Sequence, residues 1–180
     1  QVMSVDDILK AKQDGKVGVI LGWQNSTPIE NDLRRIELFR SLGVLIMQLT
    51  FHERNFIGNG CLERGDAGLS NFGIDAVHEM NRMGILIDLS HCGERTTLNA
   101  IEMSSKPVAC THANAQSFHM HPRNKTDEAL KLLAERGGVV GATAFNMFLP
   151  DGRESTIENF VDAIDDLVQR IGVEHVGFGT

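Results

Sequence analysis

Short apolar runs alternate with amphipathic stretches along the whole chain. Runs of four to seven aliphatic or β-branched residues are typical of buried strands, and apolar positions three or four apart indicate helices. We predict strands near residues 17–21, 44–49, 85–90, 107–111, 139–145 and 175–178. We predict helices near residues 5–14, 28–41, 71–83, 94–104, 126–136 and 155–171. Strands separated by helices predict a parallel sheet with helices outside it.

The number of strands bears on the fold class. The pattern predicts an α/β fold, a parallel (β/α) barrel of TIM type. Such a barrel needs about eight strands, so six predicted strands suggest a barrel that is incomplete at both ends. We find no linker and predict a single domain over residues 1–180, a partial (β/α)8 barrel. Unpaired edge strands invite association, so we expect either a homo-oligomer or a chain that is part of a longer protein.

Composition limits the classes of partner. The 180 residues are 42% hydrophobic and 23% charged, as in a globular domain. The net charge of −7 argues against nucleic acid or an anionic membrane surface as a partner. No signal peptide is visible, which favours a cytoplasmic location, although the opening Gln1-Val2-Met3 leaves the natural start unknown. The three cysteines give no disulfide framework.

Two histidines occupy matching places in consecutive units. His91 follows the predicted strand 85–90, and His112 follows the strand 107–111. A strand, a helix and a parallel strand put both strand ends on one rim of the sheet, where barrel enzymes build their active sites. Two imidazoles there could share a metal ion. A lone histidine at a strand end is more often a capping or core residue, and the neighbouring Cys92 is more simply a buried thiol than a ligand.

Four segments carry a resemblance to a known family. They are Asp66–Gly73, Glu79–His91, Pro107–Asn114 with the following Pro122-Arg123-Asn124, and His175–Gly179. Together they resemble the renal (membrane) dipeptidase family of zinc metallopeptidases. The resemblance implies a (β/α)8 barrel with two zinc ions bridged by a glutamate and a hydroxide. It also implies hydrolysis of the amide bond of small dipeptides by metal-activated water.

The resemblance assigns roles to individual residues. His91 and His112 match the two histidines that bind one zinc ion, and Arg123 matches the arginine that holds the carboxylate of the substrate. Neutral imidazoles suit Zn²⁺, and a guanidinium can clamp a carboxylate through two hydrogen bonds. The plainer alternative for Arg123 is a surface ion pair.

The chain also departs from the family pattern. Counted back without gaps, the bridging glutamate falls on Gln24, which is either a remnant of the metal site or a polar residue bonded at the rim. Phe51 stands at the family's substrate-side histidine, and His52 could substitute only if the strand end shifts. The family's other ligands, a His-x-Asp pair and a later aspartate, have no match, so we expect weak zinc binding. A non-catalytic barrel acting as a binding or scaffold protein is the alternative.

Overall fold

Six parallel strands form one sheet in the computed structural model, which describes residues 1–179. The strands follow one another in chain order, each paired in parallel with the next. They are β1 (Leu21–Trp23), β2 (Val44–Gln48), β3 (Leu86–Asp88), β4 (Ala109–Cys110), β5 (Val139–Thr143) and β6 (Val176–Gly179). The predicted parallel α/β architecture of barrel type is confirmed. No pairing joins β1 to β6 within residues 1–179, so the described sheet is an open arc. Thr180, the last residue of the predicted domain, lies outside the described residues.

Helices connect the strands. They are α1 (Val5–Gln13), α2 (Arg34–Ser41), α3 (Asn71–Met83), α4 (Glu94–Met103), α5 (Asp127–Glu135) and α6 (Ile157–Ile171). Local chemistry fixes their ends: the Ser70 side chain accepts a hydrogen bond from the Gly73 amide at 2.9 Å and caps α3. Gly84, with φ of 65°, ends α3 as predicted, because glycine adopts this left-handed conformation without strain. Among the described helices, none is long and apolar enough to span a membrane.

Two elements differ from the prediction. The first strand is Leu21–Trp23 rather than residues 17–21. Residues before Leu21 are not paired with the sheet: the carbonyl of Val19 accepts a hydrogen bond from Val2 instead. The predicted helix 28–41 is a 3-10 turn at Thr27–Ile29 followed by α2, because Glu30 has a φ of 52° that a helix cannot accommodate.

The apolar core lies between the sheet and its helices. Buried side chains from three strands pack with buried side chains from three helices: Met47, Ile87 and Val140 with Val77, Leu133 and Leu167. Full burial of each such side chain contributes about 1.5–3 kcal/mol. This packing fixes the carboxyl ends of the strands, and the residues that follow those ends form the site described next.

Candidate metal and substrate site

Three side chains from three strand ends meet at one point on the rim. Gln24 follows β1, His91 follows β3 and His112 follows β4. The Nε2 atoms of His91 and His112 are 2.9 Å apart, and the Gln24 amide nitrogen lies 3.3 Å from the first and 3.2 Å from the second. The predicted proximity of the two imidazoles is confirmed. Their role as metal ligands stays a prediction.

The triangle formed by these three atoms fits a metal ion. Ligands at about 2.0–2.1 Å from a tetrahedral zinc ion lie about 3.4 Å apart, close to the observed edges of 2.9–3.3 Å. Rotating the Gln24 amide by half a turn would present its oxygen, which can bind a cation. No group of three or more His, Cys, Asp or Glu side chains within residues 1–179 is placed to hold a metal ion. The donor set of this chain is therefore two imidazoles and one neutral amide.

Gln24 is held in place by the neighbouring strand. The buried Gln48 side chain at the end of β2 donates hydrogen bonds to the carbonyl of Gln24 and, at 2.7 Å, to the carbonyl of Thr50. The Ser26 hydroxyl donates to the Gln48 carbonyl at 2.6 Å. The backbone on both sides of Gln24 is thus tied to β2, which fixes where its amide points.

A buried carboxylate lies behind His112. Asp88 ends β3 and accepts hydrogen bonds from the Ser90 hydroxyl at 2.5 Å and the Thr111 hydroxyl at 2.7 Å. Its Oδ1 atom also accepts from the amides of Ser90 and Thr111, each at 3.0 Å. The Thr111 hydroxyl in turn lies 2.9 Å from Nδ1 of His112. The carboxylate is therefore connected to the imidazole through one hydroxyl.

Arg123 spans the two histidine-bearing strand ends. Its guanidinium donates to the carbonyl of Ser90 and, at 2.8 Å, to the carbonyl of His112. The residue is only 1% exposed, and its Nε atom is buried without a hydrogen-bond partner. The guanidinium carbon is 5.0 Å from the centre of the Phe148 ring. Because Arg123 is buried and forms no ion pair within the described chain, the surface ion pair considered from sequence is excluded.

A cavity of about 250 Å³ opens beside the imidazoles. Its walls are mostly aromatic: Phe51, His52, Phe145 and Phe148, together with Gln24, His91, His112 and Thr143. His52 has a φ of 58°, a left-handed conformation that is uncommon outside glycine. Its ring lies 4.6 Å from the His91 ring, and the Phe51 ring stacks on His91 at 4.3 Å. The backbone turn therefore brings both His52 and Phe51 to the site.

Burial keeps the imidazoles neutral. It lowers the pKa of His91 to about 2, and the nearby positive charge of Arg123 acts in the same direction. Burial also lowers the pKa values of His112 and His52, with Arg123 again contributing. Neutral imidazoles are the form that binds metal ions. The cysteine next to His91 is a different case, because burial raises the pKa of Cys92 and favours the unreactive thiol.

The sequence-predicted residues thus fall into two groups. Gln24, His52, His91 and His112 line one cavity, whereas Arg123 lies beneath it and bonds to backbone carbonyls. Sequence reasoning missed the aromatic walls contributed by Phe145 and Phe148, and it missed Asp88 and Thr111. The first pair lies in the segment after β5, in and beside a short 3-10 helix that no periodicity signals. The second pair directly precedes the motif residues, but its hydrogen bonds depend on side-chain directions.

Comparisons with known proteins agree with the fold and the motifs. The family model described as membrane dipeptidase, peptidase family M19, matches residues 1–180. An uncharacterized dipeptidase of Schizosaccharomyces pombe is 33% identical over 182 residues, which is 97% of this chain but 44% of the relative. The chain therefore spans less than half the length of this curated relative.

Solved structures give the same picture. An amidohydrolase from Pseudomonas aeruginosa is 45% identical with a TM-score of 0.95, covering 99% of this chain and 55% of the other. A metallopeptidase from Rhodobacter sphaeroides, solved with a phosphinate mimic of the dipeptide L-Ala-D-Ala, is 30% identical with a TM-score of 0.93. That match covers 99% of this chain and 54% of the other.

Proposed function

Because the chain belongs to the membrane dipeptidase family, peptidase family M19, we propose that the protein is a zinc-dependent dipeptidase. The observation that carries the proposal is the convergence of His91, His112 and Gln24 within 2.9–3.3 Å at the strand rim. His91 and His112 would each bind one zinc ion through Nε2, and Gln24 would bind it through the amide oxygen. The chemistry that zinc supplies when bound is Lewis-acid activation of water and of the peptide carbonyl.

The cavity beside the imidazoles suits a small dipeptide. Its volume is about 250 Å³, and the rings of Phe51, Phe145 and Phe148 exclude water from the reacting amide while contacting apolar side chains. His52 faces the same cavity and would hydrogen-bond the substrate, one place after the position of the family histidine. The left-handed backbone at His52 provides the shift of the strand end that this role requires.

Arg123 would hold the carboxylate of the substrate. Two of its donors already serve the carbonyls of Ser90 and His112, but the guanidinium has five N–H groups and its Nε has no partner. The guanidinium is buried below Phe148, so a carboxylate reaches it only if that ring moves aside. Replacement of Arg123 by Lys should therefore raise KM more than it lowers kcat, because a point charge cannot reproduce the clamp.

A non-catalytic binding or scaffold protein is the second candidate. Gln24 favours it, because a neutral amide bridges two cations less well than the glutamate of the family. One measurement on the full-length protein separates the two candidates. The enzyme contains zinc by elemental analysis and hydrolyses L-Ala-D-Ala or L-Ala-L-Ala, whereas the scaffold protein hydrolyses neither dipeptide.

The experiment needs a matched pair of variants. The double variant His91→Ala with His112→Ala should lose both zinc and hydrolysis. His78→Ala, which removes an exposed imidazole from α3, should retain both. Retention of stoichiometric zinc by the double variant would refute the proposed ligands. Absence of hydrolysis in a zinc-loaded wild type would favour the scaffold protein.

A further inference from the structure

The hydrogen bonds behind His112 fix where its proton lies. We propose that Asp88, acting through the Thr111 hydroxyl, holds His112 in the tautomer that carries its proton on Nδ1. Nε2 of His112 is then a lone pair that points to the rim. Asp88 and Thr111 are positioning residues in this proposal, because neither touches the rim cavity where substrate would bind.

The proposal follows from counting protons. The Asp88 carboxylate can only accept hydrogen bonds. The Ser90 hydroxyl gives its one proton to Oδ1 of Asp88 at 2.5 Å and accepts from the His112 amide at 3.1 Å. The Thr111 hydroxyl gives its one proton to Oδ2 of Asp88 at 2.7 Å. The Thr111 oxygen can therefore only accept from Nδ1 of His112, which lies 2.9 Å away.

The neighbouring hydroxyl does not offer an escape. Ser90 Oγ is 3.2 Å from the Thr111 oxygen, but the proton of Ser90 is already committed to the shorter bond with Asp88. Both amide hydrogens on Oδ1 come from backbone groups that cannot reverse direction. The order of donors and acceptors from Asp88 to His112 is thus set by groups whose roles are fixed.

The two histidines differ in this respect. Nδ1 of His91 is buried without a hydrogen-bond partner among the described residues, and its Nε2 lies 2.9 Å from Nε2 of His112. With Nε2 of His112 fixed as an acceptor, Nε2 of His91 must be the donor in the metal-free protein. His112 is therefore preset to bind a cation, whereas His91 must first give up the proton on Nε2.

The tautomer itself does not rest on the proposed function; only its consequence for zinc does. In the metal-free full chain, ¹⁵N-detected histidine NMR should show His112 with its proton on Nδ1. Asp88→Asn puts an amide donor beside Thr111, which can reverse the hydroxyl and move the proton to Nε2. Zinc affinity, measured by chelator competition, should then fall about 10–100-fold, as is usual for partners that orient a metal ligand. Asp75→Asn, an exposed carboxamide substitution on α3, should change neither measurement.

Conservative variants at Thr111 keep the test decisive if Asp88→Asn does not fold. Thr111→Val removes the hydroxyl at nearly constant volume and should leave His112 as a mixture of tautomers. Thr111→Ser should restore the single tautomer. A proton on Nε2 in the wild type, or a tautomer that Thr111→Val leaves unchanged, would overturn the proposal. A correct tautomer without zinc binding by the wild type would instead count against the proposed function alone.

Discussion

Removal of the His91 imidazole should change how stability depends on pH. His91 is 5% exposed, and burial lowers its pKa to about 2, so it stays neutral in the folded protein at mildly acidic pH. In the unfolded chain the same group has a pKa of about 6.5. Below that pH the unfolded state binds a proton that the folded state refuses, and the free energy of unfolding falls.

The size of the effect follows from these two pKa values. Above about pH 6.5 both states are neutral and His91 does not affect the pH dependence. At about pH 5 the unfolded chain has gained about 2 kcal/mol from protonating His91. The loss grows by about 1.4 kcal/mol for each further pH unit and ends near the folded pKa of about 2. Burial lowers the pKa of His112 as well, so this residue adds to the loss in the same direction.

Urea unfolding of the metal-free protein measures this effect. We compare the free energy of unfolding at about pH 7.5 and about pH 5 for the wild type and for His91→Gln, with a chelator present. The loss between the two pH values should be about 2 kcal/mol smaller in the variant, because glutamine does not titrate. His78→Gln, at an exposed position of α3, should retain the loss of the wild type. An equal loss in His91→Gln and wild type would refute the assignment of His91 as a buried neutral imidazole.

Three further outcomes are expected. Ile87→Ala in β3, where the side chain is 1% exposed, should lower the free energy of unfolding by about 2–5 kcal/mol in urea titrations, and a loss below 1 kcal/mol would contradict the packed core. Gly73→Ala should destabilise strongly because the new methyl group would overlap the carbonyl oxygen of Ile57, whereas Gly65→Ala meets open space and should be near neutral by thermal unfolding. Phe178→Lys should reduce self-association in sedimentation velocity, because Phe178 is 81% exposed on the edge strand β6.

The sequence predicts the site best where backbone topology decides. His91 and His112 come together because each follows a strand of one β-α-β unit, and parallel strands put their carboxyl ends on one rim. The apolar alternation of Val17 and Val19 resembles a strand equally well, yet these residues do not pair with the sheet. Alternation records which side chains are apolar and not which backbone is available to pair with them.

Predictions of side-chain contacts fail for a different reason. Arg123 matches a family motif, but its burial and its bonds to the carbonyls of Ser90 and His112 depend on the loop that carries it. The connection from Asp88 through Thr111 depends on rotamers and on proton directions, which no residue spacing encodes. Sequence patterns therefore place the imidazoles at the rim, and the hydrogen-bond geometry determines how they are held.

The charges around the rim explain why this chain's own residues should bind zinc weakly. The positive charge of Arg123 lies close enough to lower the pKa values of His91 and His112, so it also opposes a cation bound between them. The Asp88 carboxylate raises the pKa of His112 and offsets part of this repulsion from behind the imidazole. Gln24 adds no negative charge at the rim itself. Replacing Gln24 by Glu would place an anion directly between the two imidazoles, so a metal ion should gain more from that single change than from any further neutral ligand.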